Sequence, residues 1–378
     1  MGTDHNLAAF YALLRGGLWE KEVRLEEYGS VDFNRIFEIA KEQTVIGLVA
    51  AGMEHVVDRT ITKEDAAKFI HSVVKAEKIN KAMNEYIAKL ITYLRDNDIS
   101  PLLVKGQGLA QCYERPQWRM TGDVDLIVAR ETYKKAVDIL KKIASSFDNE
   151  RDSDLHISLD IGNGIVEMHG TLDMHYLKRV DRVVDEIFRN TFENKEVRVW
   201  TVDEVPIEIP KPDNDVIFVF THILKHSFIG GVGLRQVCDW CRLLYTFKDE
   251  IDAALLQERL TKMGLMREWK TFAALAVRHL GMNAEYVPLY DPSPKWERNA
   301  DIMNNYIILD GNFGHNWDRQ SRKYYLQNLY IGIKTFCYHS LRHFVISPGN
   351  SLSALLTSIG DLFLRFRNKV KRALAKKQ

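Results

Sequence analysis

The sequence predicts an α+β chain, with a small mixed sheet set between two helical regions. Three observations carry that expectation. Apolar residues recur at helical spacing from residue 4 to about 97. Short apolar and alternating runs crowd into 101–210, two of them flanking Gly-Asn-Gly at 162–164. Past Pro210 and Pro212 the text turns helical again. The expected division is 1–97 for an N-terminal helical region packing on the core, 98–211 for the core, and 212–378 for a helical C-terminal region.

In chain order, "FNRIFEIAKEQTVIGLVAAGMEHV" and "AAKFIHSVVKAEKINKAMNEYIAKLITYLRDN" supply the first helices. Pro101 follows a polar stop, and "PLLVKG" reads as a buried strand feeding a turn. A short helix from about Gly108, a loop around Pro116 and the strand "DVDLIV" come next, then the amphipathic helix "ETYKKAVDILKKIA". "LHISLDI" and "IVEMHG" flank the Gly-Asn-Gly and are expected as antiparallel neighbours. "EVRVWTV" and "VPIEIP" form a second expected pair near 196–210.

Composition excludes several function classes. Among 378 residues, 52 Lys and Arg nearly cancel 51 Asp and Glu, so no global field draws the chain to nucleic acid, membrane or a strongly acidic substrate. The N-terminus lacks a basic segment followed by a long apolar one, so no secretory signal is expected. No uncharged apolar run reaches the roughly 20 residues that span a bilayer. Four cysteines in a chain this long do not suggest a disulfide framework. The expected setting is the cytoplasm.

The chemistry starts at Asp123 and Asp125. Alternation along a strand puts both on one face, with Val124 and Leu126 on the other. Two such carboxylates raise each other's proton affinity unless a cation lies between them. Mg²⁺ (or Mn²⁺) suits that place, because it favours one or two carboxylates completed by phosphate oxygens and water. Metal-assisted phosphoryl transfer usually calls for one more carboxylate to position a second ion. Glu167 offers it, sharing a face with Ile165 and His169. If that strand lies beside "DVDLIV", the three acids converge.

Taken together, "LLVKGQGLAQCYERPQWRMTGDVDLIV" and "GIVEMHG" resemble the nucleotidyltransferase superfamily that includes DNA polymerase beta. More narrowly, the Lys-Gly pair, Tyr, Pro and Arg ahead of the acidic strand resemble a bacterial family of uncharacterised nucleotidyltransferases. "FVFTHILKHSFIGGVGLRQVCDWCRLL" is similar to that family's helical part. The resemblance implies a polymerase-beta-like core that moves a nucleoside monophosphate from a triphosphate such as ATP to an acceptor and releases pyrophosphate. Asp123 and Asp125 would hold both metal ions, and Glu167 would bind the catalytic one or accept the acceptor's proton. Gly106 would let backbone approach the triphosphate, and Lys105 and Arg119 would neutralise the leaving pyrophosphate. Gln107, the remaining nucleotide-binding candidate, stands where the superfamily has its second small residue, and the spacer to Asp123 is longer than usual. His169, His222, His226, Arg235 and Asp239 are candidates for the acceptor site. Structural alternatives stand beside these readings: Lys105 capping a strand end, Tyr113 packing, Arg119 pairing with Asp123, His169 as a structural histidine, and His222, His226, Arg235 and Asp239 tying two helices together.

Other signals are weaker. His222, His226, Cys238 and Cys241 spell a zinc-like pattern, yet both pairs sit in apolar helical text where cysteines are ordinary core residues. Glycosyltransferases that bind nucleotide-sugars also carry an Asp-x-Asp, but there the apolar strand precedes it, whereas here "LIV" follows. At the C-terminus, apolar residues at 352, 355, 356, 359, 362, 366, 370 and 374 form a stripe. Arg365, Arg367, Lys369, Lys371, Arg372, Lys376 and Lys377 accompany its end. Such a helix either packs with its cations complementing its dipole or touches an anionic surface. The rival function is a non-catalytic binding or regulatory protein on the same fold, of toxin–antitoxin type; retention of all three acids argues against it. The acceptor stays open between small molecule, protein and RNA.

Overall fold

The computed structural model describes residues 4–148, 155–162, 164–175, 177–229, 231–311 and 325–360. The N-terminal helices are α1 (His5–Trp19), α2 (Phe33–Glu42), α3 (Ile46–Glu54) and the long α4 (Lys63–Arg95). Polar side chains start three of them: Asp4, Asp32 and Thr62 each accept from backbone amides left without helical partners. Helices α1 and α3 approach until only glycine fits. A Cβ on Gly52 would lie 1.9 Å from the Leu13 carbonyl oxygen, and one on Gly17 1.9 Å from that of Leu48.

The central sheet holds β1 (Leu102–Val104), β2 (Val124–Ile127), β3 (Ser146–Phe147), β4 (His156–Ile161) and β5 (Gly164–His169), in the order β1-β2-β5-β4-β3. Between these strands run the short α5 (Gly106–Ala110) and the amphipathic α6 (Arg130–Lys141). β2 and β5 are parallel and every other pair is antiparallel, so the sheet is mixed as expected. α7 (Lys178–Glu193) follows, then the ribbon of β6 (Val197–Val202) and β7 (Val205–Pro210), the antiparallel pair read near 196–210. Edge strand β3 and helix α7 have no counterpart in the sequence reading.

Next come α8 (Pro212–Ile229), α9 (Leu234–Thr246), α10 (Ala253–Met263), α11 (Met266–Arg278), α12 (Pro294–Asp310) and α13 (Tyr325–Ile346), and residues 348–360 are helical as well. Two apolar cores result. One joins α1 to α3 with the C-terminal helices around Phe220, Trp240, Trp269 and Phe272; the other packs α4, α6 and the ribbon's Ile207 and Ile209 against the sheet. α4 belongs to both: Phe69 and Val73 enter the first core, Ile87, Ile91 and Leu94 the second. The sheet is thereby held against α8 and α9, which wall the site. Among the described residues no helix is long and apolar enough to cross a membrane. Leu352, Leu356 and Ile359 of the C-terminal stripe are exposed, and the basic residues from Arg365 onward lie outside the described residues.

Candidate active site

The acids converge through sheet register. Val104 at the end of β1 faces Asp125 on β2, and Asp125 faces Glu167 on the parallel β5. Alternation sends Val124, Leu126, Val166 and Met168 into the core, leaving Asp125, Glu167 and His169 on the opposite face. Asp123 sits one residue ahead of β2 and is exposed, whereas Asp125 is buried, so the two differ in setting more than a shared strand face suggests.

Lys105 follows β1 directly and lies at φ 58°, ψ −147°, a region that residues other than glycine rarely occupy. Gly106 continues the turn at φ 41°. The Lys105 ammonium reaches to 2.5 Å from Asp125 Oδ1. Burial works against its charge, but the charges of Asp125, Glu167 and Asp123 outweigh burial and raise its pKa. Burial likewise pushes Asp125 up, yet Lys105 and His169 hold it below the usual carboxylate range. Glu167 also lies well below the usual carboxylate range, because hydrogen bonds from His156 and His169 overcome its burial. Asp123 moves the other way: protein packed around its carboxyl raises the pKa, and the charges of Asp125 and Glu167 add to that.

Two adjoining clefts meet at Lys105, Glu167, His222 and His226. The first, of about 190 Å³, has Gly106, Asp123, Asp125, Arg119, Arg235 and Asp239 in its wall. The second, of about 320 Å³, is lined by His156, His169, Thr171, Asp173 and Lys225. Of the five candidates for the acceptor site, His169 lines the second cleft alone, Arg235 and Asp239 the first alone, and His222 and His226 both.

Several side chains are tied within the protein. Arg119 donates from Nε to Asp239 Oδ1 at 2.7 Å and from Nη2 to Oδ2 at 2.8 Å, and the Tyr113 hydroxyl donates to Oδ1 at 2.8 Å. Arg119 thus grips Asp239 of α9 and not Asp123. Arg235 donates to the Met120 carbonyl, 3.0 Å away, at the rim of the first cleft. Gln107 is buried, with its amide donating to Asn80 at 2.7 Å, while Asn80 donates to the carbonyls of Gln117 and Arg119. These bonds brace the loop that leads into β2. His222 and His226 share an Nε2 to Nε2 contact of 3.0 Å; burial first, then nearby positive charge, depresses both pKa values. Cys238 and Cys241 are buried in the first core, and burial pushes both thiols up.

His156 was not among the sequence candidates, yet it stands opposite His169 on β4 and contacts Glu167. Its signal was present: with Ile161 paired to Gly164, counting back along the hairpin puts residue 156 against 169. Lys225 on α8 was missed too; nothing in helical text marks which turn faces a sheet.

No curated protein matches the chain. Among solved structures, an antigenic nucleotidyltransferase-like protein from Paracoccidioides brasiliensis is similar at 13% identity, over 53% of this chain and 92% of that one. Its TM-score of 0.31 is too slight a likeness to argue from. The family described as uncharacterised nucleotidyltransferase matches residues 29–281, from the helices that brace the sheet through α8, α9 and α11. With that match over more than half its length, the chain belongs to the uncharacterised nucleotidyltransferase family.

Proposed function

We propose that the protein transfers a nucleoside monophosphate from a nucleoside triphosphate to an acceptor and releases pyrophosphate, with divalent metal bound at Asp123, Asp125 and Glu167. The observation that carries this reading is the register of β2 on β5, which pairs Asp125 with Glu167 directly behind the exposed Asp123. Three carboxylates offer the oxygen donors that Mg²⁺ favours, and the Lys105 ammonium beside Asp125 supports a cation's preference for this place. When bound, Mg²⁺ or Mn²⁺ would polarise the phosphoryl oxygens and lower the pKa of the acceptor hydroxyl.

The protein's own groups do the rest. An acceptor oxygen attacks the α-phosphorus, the bond to the bridging oxygen breaks, and pyrophosphate leaves with the electron pair. Glu167 would hold the catalytic ion or take the acceptor's proton. Lys105, released from Asp125, carries its charge to the leaving pyrophosphate, and Arg235 adds a second cation at the rim of the first cleft. Gly106 lets the turn approach the phosphates. Arg119 positions α9 through Asp239. The acceptor enters from the second cleft, past His169, His222 and His226.

The test is incubation with each α-labelled triphosphate, Mg²⁺ or Mn²⁺ and a cell lysate, followed by identification of what becomes labelled. Label transfer that survives unchanged in Asp125→Asn sinks the reading.

A further inference from the structure

On the acceptor side of Glu167 the donors change from oxygen to nitrogen. His156 Nε2 lies 3.4 Å from Glu167 Oε2, and His169 Nε2 lies 3.5 Å from the same oxygen. One donor atom from each of the three falls within 4.8 Å of the other two. Bonds of about 2.1 Å to a tetrahedral ion put neighbouring ligand atoms about 3.4 Å apart, so two of the three spacings already have the size of a filled site. The imidazole rings, with centroids 4.6 Å apart and planes 33° from parallel, tilt instead of stacking flat.

The sheet fixes this arrangement. His156 and His169 are register partners across β4 and β5, and Glu167 lies two residues before His169 on the same face. All three line the cleft of about 320 Å³, so the remaining positions of an ion would open onto free volume. His169 also contacts Asp125 Oδ1 at 3.1 Å, and Lys105 holds that same oxygen. Asp125 therefore keeps a cationic partner if His169 turns to an ion. Imidazole nitrogen suits zinc-class ions, whereas Mg²⁺ demands oxygen and near-octahedral geometry.

The geometry points to a transition-metal site formed by His156, Glu167 and His169, taking a borderline divalent ion of the zinc class with open positions toward the acceptor cleft. It is a second kind of site beside the all-oxygen one, sharing Glu167 with it. Its assignment to the acceptor side rests on the nucleotidyl-transfer reading; its ability to bind metal does not.

The test uses full-length protein stripped with a chelator and titrated with Co²⁺ alone, without nucleotide, followed by its visible absorption. The expected result is one Co²⁺ per chain, displaced by Zn²⁺ and retained in excess Mg²⁺. His156→Gln and His169→Gln should each weaken Co²⁺ more than tenfold, with unchanged circular dichroism as the control for folding. Co²⁺ affinity unaffected by either substitution, or ready displacement by Mg²⁺, overturns the site. Wild-type protein that binds Co²⁺ through the histidines, yet gains no melting temperature from Mg²⁺ with any triphosphate, upholds the site and counts against nucleotidyl transfer. The opposite pattern rejects the site and leaves nucleotidyl transfer standing.

Discussion

Asp125 and Glu167 are direct partners across the one parallel strand pair among the described residues, and the ammonium of Lys105 lies 2.5 Å from the first of them. The pair gathers negative charge, met by the Lys105 ammonium and by contacts from the His169 and His156 rings.

Asp125→Asn keeps the shape of the side chain and removes its charge. Label transfer from α-labelled nucleotide should fall by at least about 100-fold, the scale seen when one electrostatic contact to a transition state is lost. Circular dichroism should stay native.

Lys105→Met leaves Asp125 buried without its ammonium. Removing one member of a buried pair costs about 3 kcal/mol or more, so the melting temperature in chelator should drop. Mg²⁺ should then restore more stability to the variant than it adds to wild type. An equal Mg²⁺ response in both would show that lysine and metal do not compete for one place.

Asp239 receives Arg119 on both oxygens and Tyr113 on one, all three residues being buried. Asp239→Ala should cost about 3–5 kcal/mol in urea unfolding, and Tyr113→Phe about 1 kcal/mol. Activity should fall with the first through displacement of α9, more in KM for nucleotide than in stability-corrected turnover.

The histidine pair on α8 gives stability a pH slope. Burial first, then the charges of Lys105 and Lys225, moves His226 from its ordinary 6.5 to about 3, with Asp125 and Glu167 opposing the shift. The unfolded chain therefore binds a proton below about pH 6.5 that the native protein refuses until about pH 3, and stability falls as pH drops through that window. Urea midpoints at about pH 7 and about pH 5 should differ less in His226→Asn than in wild type.

Gly52 has no room for a methyl group against α1. Gly52→Ala should force α1 and α3 apart and cost about 2 kcal/mol, read as a lower melting temperature.

Local pattern made much of this legible. The turn at 162–164 announced its hairpin, and the apolar positions of "DVDLIV" and "IVEMHG" told which side chains enter the core. The convergence of acids was legible only conditionally, because no periodicity says which strand lies beside which. Pairings across long stretches of chain left no local mark: Arg119 with Asp239, Gln107 with Asn80, and Lys105 with Asp125. β3 is two residues long and exposed, too short to show an alternation.

The pairing of β2 with β5 also joins segments that emerge far apart in time during synthesis. A parallel neighbour requires a crossover, here the stretch holding α6, β3 and β4. On the ribosome, Asp123 and Asp125 emerge well before Glu167 and His169, and α9 with Asp239 later still. Nascent chains shorter than β5 therefore have no acidic cluster to display, and a fragment ending before α9 leaves Arg119 searching for its anion.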